Sequence, residues 1–287
     1  MVQDSIPKHM TQNIGDVDLS YLLYEGDGPV IMLMHGAGLF PWLWHPIARE
    51  LAPRWRVIAP YFCDHREETD PAKGGLSWLI IAEDLARFCE RLDLDRPGFV
   101  GHSMGGNVIT LAHAKFGVKA RGLLLFEPIF FPQELYNIQI TVEQNPLALR
   151  ATKRRDHWHN REELQEYVHS RPVFKSWDPE ILELYTNYGM KESEGGALLL
   201  TCTARREASM FMGGMKDDPW PLLSQVTCPT LIIEGEESEN RALIDLKMAS
   251  SAIPQGTHRI ISNEGHLLPL ENPKLTFEII EEFFGSL

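Results

Sequence analysis

Gly101-His102-Ser103-Met104-Gly105 stands between a short strand-like run, Arg96-Pro97-Gly98-Phe99-Val100, and a segment that opens a helix, Asn107 to Ala114. A strand, a G-x-S-x-G pentapeptide and a helix in that order commit the backbone to a strand-to-helix turn so sharp that a side chain at Gly101 or Gly105 would clash with neighbouring backbone. The turn presents Ser103 as an exposed nucleophile. Glycine and serine are common turn residues, so the pentapeptide acquires its weight from what surrounds it.

The surroundings alternate between strand and helix. Residues 6 to 25 read as two strands about the Gly15-Asp16 turn, and Val30-Ile31-Met32-Leu33-Met34 is a buried-strand run that ends in His35-Gly36-Ala37-Gly38. A helix over 41–51, a strand at Val57-Ile58-Ala59-Pro60-Tyr61 and a helix over 76–92 follow, the last with Trp78, Ile81, Leu85 and Phe88 at helical spacing. Gly122-Leu123-Leu124-Leu125-Phe126 is another buried strand, and Pro229-Thr230-Leu231-Ile232-Ile233 resumes the pattern. A helix from about Asn240, a strand at His258-Arg259-Ile260-Ile261 and a helix capped by Asn272-Pro273 complete it. This order predicts a parallel sheet flanked by helices. Residues 130–220 break the alternation: they read as helical and rich in aromatics, with a capping box at Asn160 and Glu163 and a helix start at Asp178-Pro179. The expected organisation is therefore a core of 1–129 and 221–287 with a helical cap over 130–220.

The 287 residues, 44% hydrophobic, suffice for one large α/β domain with an insertion. A formal charge of −13 argues against nucleic acid or an anionic membrane as partner, since both need a basic face. Cys63, Cys89, Cys202 and Cys228 are too widely spaced for a zinc site or a disulfide framework, so buried, reduced thiols are expected. Met1 to Met10 has no apolar core, which reads against a signal peptide, and no apolar run approaches a transmembrane length. The expectation is a soluble cytoplasmic protein acting on a small molecule, with no cofactor and no metal; a homodimer stays open.

The His35-Gly36-Ala37-Gly38 loop, the serine elbow and the late Gly265-His266 pair occur in the order in which the α/β-hydrolase superfamily carries them. The chain resembles that superfamily over nearly its whole length. The resemblance implies an α/β-hydrolase fold with a mostly parallel eight-stranded sheet, Ser103 as nucleophile, His266 as its base, and an oxyanion hole made by the N–H groups of Ala37 and Met104. His102 should point away from the chemistry, and His35 should brace its own loop.

The third triad member departs from the common pattern. The usual aspartate after strand seven falls on Ser238 in Gly235-Glu236-Glu237-Ser238. A minority of the superfamily carries the acid at the end of strand six, where Glu127 sits in Leu125-Phe126-Glu127-Pro128; Glu239 is the rival. A serine at the elbow favours an acyl-enzyme, so the expected function is cleavage of a carboxylic ester, lactone or thioester of a partly apolar substrate. Cofactor-free lyases of the hydroxynitrile type, perhydrolases, C–C bond hydrolases and a ligand-binding pseudoenzyme are the alternatives. The segment 126–132, with Asn145-Pro146-Leu147, Lys153-Arg154-Arg155 and Ser170-Arg171-Pro172-Val173-Phe174, is similar to a subgroup that includes hydrolases associated with fungal toxin biosynthesis. The basic cluster around Arg154 and Arg155 reads either as a solvated helix face or as an attractor for an anionic substrate. Trp158, Trp177, Tyr185, Met210, Phe211 and Met212 read either as the lining of an apolar pocket or as cap core.

Overall fold

The computed structural model describes residues 6–136 and 138–287. The reading of Met1 to Met10 against a signal peptide falls partly on residues 1–5, outside the described residues. Eight strands form the main sheet: β1 (Lys8–Asn13), β2 (Asp18–Tyr24), β3 (Val30–Met34), β4 (Arg56–Pro60), β5 (Gly98–His102), β6 (Gly122–Phe126), β7 (Thr230–Gly235) and β8 (Gly256–Ile261). Their spatial order is β1-β2-β4-β3-β5-β6-β7-β8, with β2 antiparallel to both of its neighbours, β1 and β4, and every other pairing parallel. The sheet is thus eight-stranded and mostly parallel, as the resemblance to the α/β-hydrolase superfamily implied. β5 and β6 are buried along their whole length because helices cover both faces.

On one face α1 (His45–Leu51) packs against the closing helix of Pro273–Gly285, and on the other α2 (Trp78–Arg91) packs against α3 (Met104–Phe116). Helix boundaries follow local chemistry. Ser77 accepts the Leu79 N–H at the start of α2, and Asn272, followed by Pro273, accepts the Leu275 N–H at the start of the closing helix. Two expected helices differ in detail: residues 41–51 begin with a 3-10 turn at Pro41–Trp44, and the helix expected from Asn240 is a 3-10 turn at Glu239–Ala242 followed by a helix at Leu246–Ala252.

Between β6 and β7 the chain leaves the sheet. This insertion contains helices Pro146–Thr152, Arg161–Ser170, Pro179–Tyr188 and Ala204–Gly213, and also a three-stranded antiparallel sheet of His157–Trp158, Leu198–Leu200 and Met190–Glu192. The small sheet corrects the all-helical reading of 130–220; strands of two or three residues are too short to show an alternating pattern. Trp158, Trp177, Tyr185, Met210 and Met212 are buried in it, so they act as packing residues. The insertion docks on the loops that follow β3 and β4. Trp42 stacks on Tyr188 with ring centroids 3.7 Å apart, and Trp78 Nε1 donates to Met210 O at 2.9 Å. All four cysteines are buried and free. Among the described residues no helix is long and apolar enough to cross a membrane.

Candidate active site

The parallel strands β3, β5, β6, β7 and β8 all end on one edge of the sheet, and the residues singled out in the sequence lie in the loops at that edge. Ser103 follows β5 and begins α3, with φ 55° and ψ −118°, a left-handed conformation that costs a non-glycine residue energy and is held by its surroundings. Its N–H donates to Phe126 O at 3.0 Å. The elbow glycines have no room for a side chain: a Cβ on Gly105 would lie 2.5 Å from Met34 O, and one on Gly101 would lie 2.7 Å from Gly106 N. Across the gap, a Cβ on Gly36 would meet Ser103 Cβ at 3.2 Å, so the His35-Gly36-Ala37-Gly38 loop lies directly against the serine. Among the described residues, neither the Ala37 N–H nor the Met104 N–H has a hydrogen-bond acceptor. Met104 is the first residue of α3, where a backbone N–H has no intrahelical partner.

Glu127 leaves β6 with φ 50°, a second strained residue, and its side chain is 1% exposed. Three donors converge on its carboxylate. Gly235 N–H reaches Oε1 at 2.7 Å, Ser238 Oγ reaches Oε2 at 2.7 Å, and His266 Nδ1 lies 3.2 Å from Oε2. Burial pushes the Glu127 carboxyl up, yet the bonds from His266 and Ser238 outweigh it and hold the group below the ordinary glutamate range. The carboxylate is therefore ionised where it meets His266. Glycine is required at 235 because a Cβ there would lie 2.4 Å from Glu264 O, blocking the loop that carries His266. Glu239, the rival acid, is exposed, and among the described residues it has no hydrogen bond or ion pair with His266. Also among the described residues, no three His, Cys, Asp or Glu side chains are grouped to hold a metal ion.

Sequence reasoning missed one neighbour of His266 and one of Glu127. Asn240 brings its amide nitrogen to 2.8 Å from His266 Nδ1, and Ser238, read only as a missing aspartate, donates to Glu127. The signal for Ser238 was its position itself, since a residue in that slot must face the histidine loop. His102, expected to point away, lies beside the base instead: its ring centroid is 5.0 Å from that of His266, and its Nε2–H donates to His266 O at 2.8 Å. His35 braces its loop as expected, its Nδ1–H donating to Gly36 O at 2.8 Å while Nε2 accepts from the Phe62 N–H at 3.1 Å.

These two buried histidines make stability pH-dependent. Burial, the largest influence on each, pulls His35 down to about 4 and His102 to about 3; the neighbouring His266 also lowers His102. Both rings stay neutral in the fold, whereas in an unfolded chain they bind protons below pH about 6.5. The unfolded state then holds more protons, so the stabilisation is complete above pH about 6.5 and is lost as pH falls toward about 4 and about 3. Urea unfolding at pH 7 and pH 5 is expected to show a loss of about 2 kcal/mol or more at the lower pH. Equal midpoints would sink this assignment.

Comparisons with known proteins bear on the whole arrangement. Residues 30–279 match the family described as the Alpha/beta hydrolase family. A 2-(acetamidomethylene)succinate hydrolase from Mesorhizobium japonicum is 22% identical over 278 residues, 96% of this chain and 94% of that protein. An abhydrolase domain-containing protein, ACTT2, from Alternaria alternata is 28% identical over 223 residues, 65% of this chain and 82% of its own length. Among solved structures, that of E-2-(acetamidomethylene)succinate hydrolase superposes with a TM-score of 0.80 at 21% identity, covering 97% of this chain and 99% of the other.

Proposed function

Because the chain belongs to the alpha/beta hydrolase family, we propose that it is a serine hydrolase that cleaves the acyl bond of an ester, lactone or thioester through an acyl-enzyme. The observation that carries this reading is the hold of the buried Glu127 on His266, in a loop at the same sheet edge as the strained serine: Nδ1 faces the carboxylate at 3.2 Å, which leaves Nε2 free to take a proton. In this reading Ser103 Oγ attacks the acyl carbonyl and His266 Nε2 accepts the hydroxyl proton. The N–H groups of Ala37 and Met104 hold the oxyanion. The tetrahedral adduct then collapses, His266 returns the proton to the leaving alcohol or thiol, and water repeats the cycle on the acyl-enzyme to release the acid. Fluorophosphonate labelling tests the nucleophile, with Ser103 as the expected site of modification. A panel of esters, lactones, thioesters and cyanohydrins separates the hydrolase from a lyase on the same scaffold. No labelling at Ser103 would overturn the serine mechanism.

The insertion between β6 and β7 serves in this proposal as the cap that selects the substrate. Its basic cluster divides in two. Arg155 pairs with Glu163 near the surface and accounts for itself as a solvated pair. Arg154 instead turns inward toward Glu207, with Nη1 2.6 Å from Oε2, side chains 24% and 13% exposed. Glu207 also touches the oxyanion loop, since a Cβ on Gly38 would lie 2.5 Å from its Oε1. Burial is the main influence on Glu207 and raises its carboxyl, against the pull of Arg154. The contact is off the hydrogen-bond direction, because Oε2 has no hydrogen-bond partner and neither has Arg154 Nε. We infer that this strained pair sets how the site treats charge. Arg154→Ala should expose Ser103 to an unpaired glutamate and lower kcat/KM for anionic substrates about tenfold more than for neutral ones, an excess reduced by salt. Arg155→Ala should affect both classes alike and weakly. Equal losses for both classes in Arg154→Ala would remove the pair from substrate selection.

A further inference from the structure

Four residues form a closed ring behind the base. Ser238 Oγ donates to Glu127 Oε2 at 2.7 Å and accepts the Asn240 N–H at 3.3 Å; the Asn240 amide lies 2.8 Å from His266 Nδ1, and Nδ1 lies 3.2 Å from Glu127 Oε2. His266 Nδ1 thus has two neighbours with opposite needs. An amide N–H aimed at Nδ1 needs a lone pair there, whereas a carboxylate needs a proton there. The first case puts the ring proton on Nε2, where it cannot receive the proton of a serine. The second leaves Nε2 free.

The ionised Glu127 decides between them. With the Gly235 N–H and the Ser238 hydroxyl donating to it, the ionised carboxylate can only accept, so the Nδ1 that faces it carries the proton. An amide facing an N–H must then present its oxygen. That needs a half-turn about the last side-chain bond, which leaves the shape of the group unchanged because its oxygen and nitrogen ends are nearly the same size. We propose that Asn240 is a positioning residue for His266: its Oδ1 shares the Nδ1–H with Glu127 and holds the imidazole in the tautomer that can take a proton from Ser103. The inference rests on the serine-hydrolase reading above. It also explains how the segment after β7 still serves the base although the expected aspartate is absent: Ser238 supports the acid from one side and Asn240 holds the ring from the other.

The test uses the full-length protein and two probes, 4-nitrophenyl acetate for turnover and a fluorophosphonate for labelling of Ser103. Asn240→Asp is the same size, so it keeps the fold while placing a second negative charge against the ring. The acid limb of its pH–rate profile should move up by about one pH unit. In a Glu127→Gln background the same change should restore kcat at least about tenfold, because the new carboxylate reaches Nδ1 from the other side. Asn240→Ala should lower kcat about tenfold with KM changed less than about threefold. A purely structural asparagine would leave the kcat of a folded Asn240→Ala unchanged, and that result also overturns the proposal. The proposal falls if the acid limb of Asn240→Asp stays within about 0.2 pH units of the parent, or if the double variant is no faster than Glu127→Gln. Labelling of the parent protein separates the two levels. With Ser103 labelled, such results remove Asn240 alone, and without labelling both readings fall together.

Discussion

Ser103→Ala is expected to lower turnover by a factor on the order of 10⁴ or more while leaving the fold intact. The alanine keeps the Cβ that packs near Gly36, and the backbone strain at φ 55° is the same with either side chain. What disappears is the hydroxyl that attacks the acyl group in the proposed mechanism. The Ala37 and Met104 N–H groups proposed as oxyanion donors remain, so a small residual rate over water should persist. Hydrolysis of the best ester found by panel screening, measured beside thermal unfolding, checks both halves of this expectation. Turnover near that of the parent would end the serine mechanism.

Glu127→Gln should reduce turnover by about 10²–10⁴, and Glu239→Gln should stay within a few-fold of the parent. The contrast follows from position. Glu127 is buried and faces three donors, whereas Glu239 is exposed in the turn after Ser238. Glutamine keeps the shape at 127 but can accept at only one end. Its NH₂ must oppose either the Gly235 N–H or the Ser238 and His266 donors, and it invites the tautomer that blocks Nε2. A stability cost of about 1–3 kcal/mol should accompany the loss of rate, because a buried donor is left unsatisfied. Measuring kcat and the urea midpoint for both variants decides the matter. A dead Glu239→Gln beside an active Glu127→Gln would move the acid to the other glutamate.

Much of this was legible in the order of residues. Runs such as Val30–Met34 and Gly122–Phe126 are buried strands whose apolar character needs no partner to be read, and both appear with the expected bounds. The helix caps at Asn160, Asp178 and Asn272 are local bonds between a side chain and an N–H two or three residues on, and each is present. Gly101 belongs to the same class, since a Cβ there would meet Gly106 N of its own turn, whereas the clash at Gly105 comes from the Met34 and His35 carbonyls of a distant segment.

Tertiary structure alone decided which polar groups meet. Glu127 and His266 are 139 positions apart, Ser238 lies 111 positions from Glu127, and the Asn240 amide reaches an imidazole 26 positions away. No periodicity records such distances, because the meetings follow from how β6, β7 and β8 are ordered and how far each loop reaches past the sheet edge. The inward turn of Arg154 toward Glu207 and the outward turn of its neighbour Arg155 toward Glu163 were equally invisible in a basic tripeptide. The sequence determined a serine on a sharp turn at the end of a parallel sheet, since that depends on short-range sterics. Which carboxylate meets His266, the Asn240 amide beside the same ring and the Glu207 charge beside Gly38 depend on contacts between distant segments, and packing sets those.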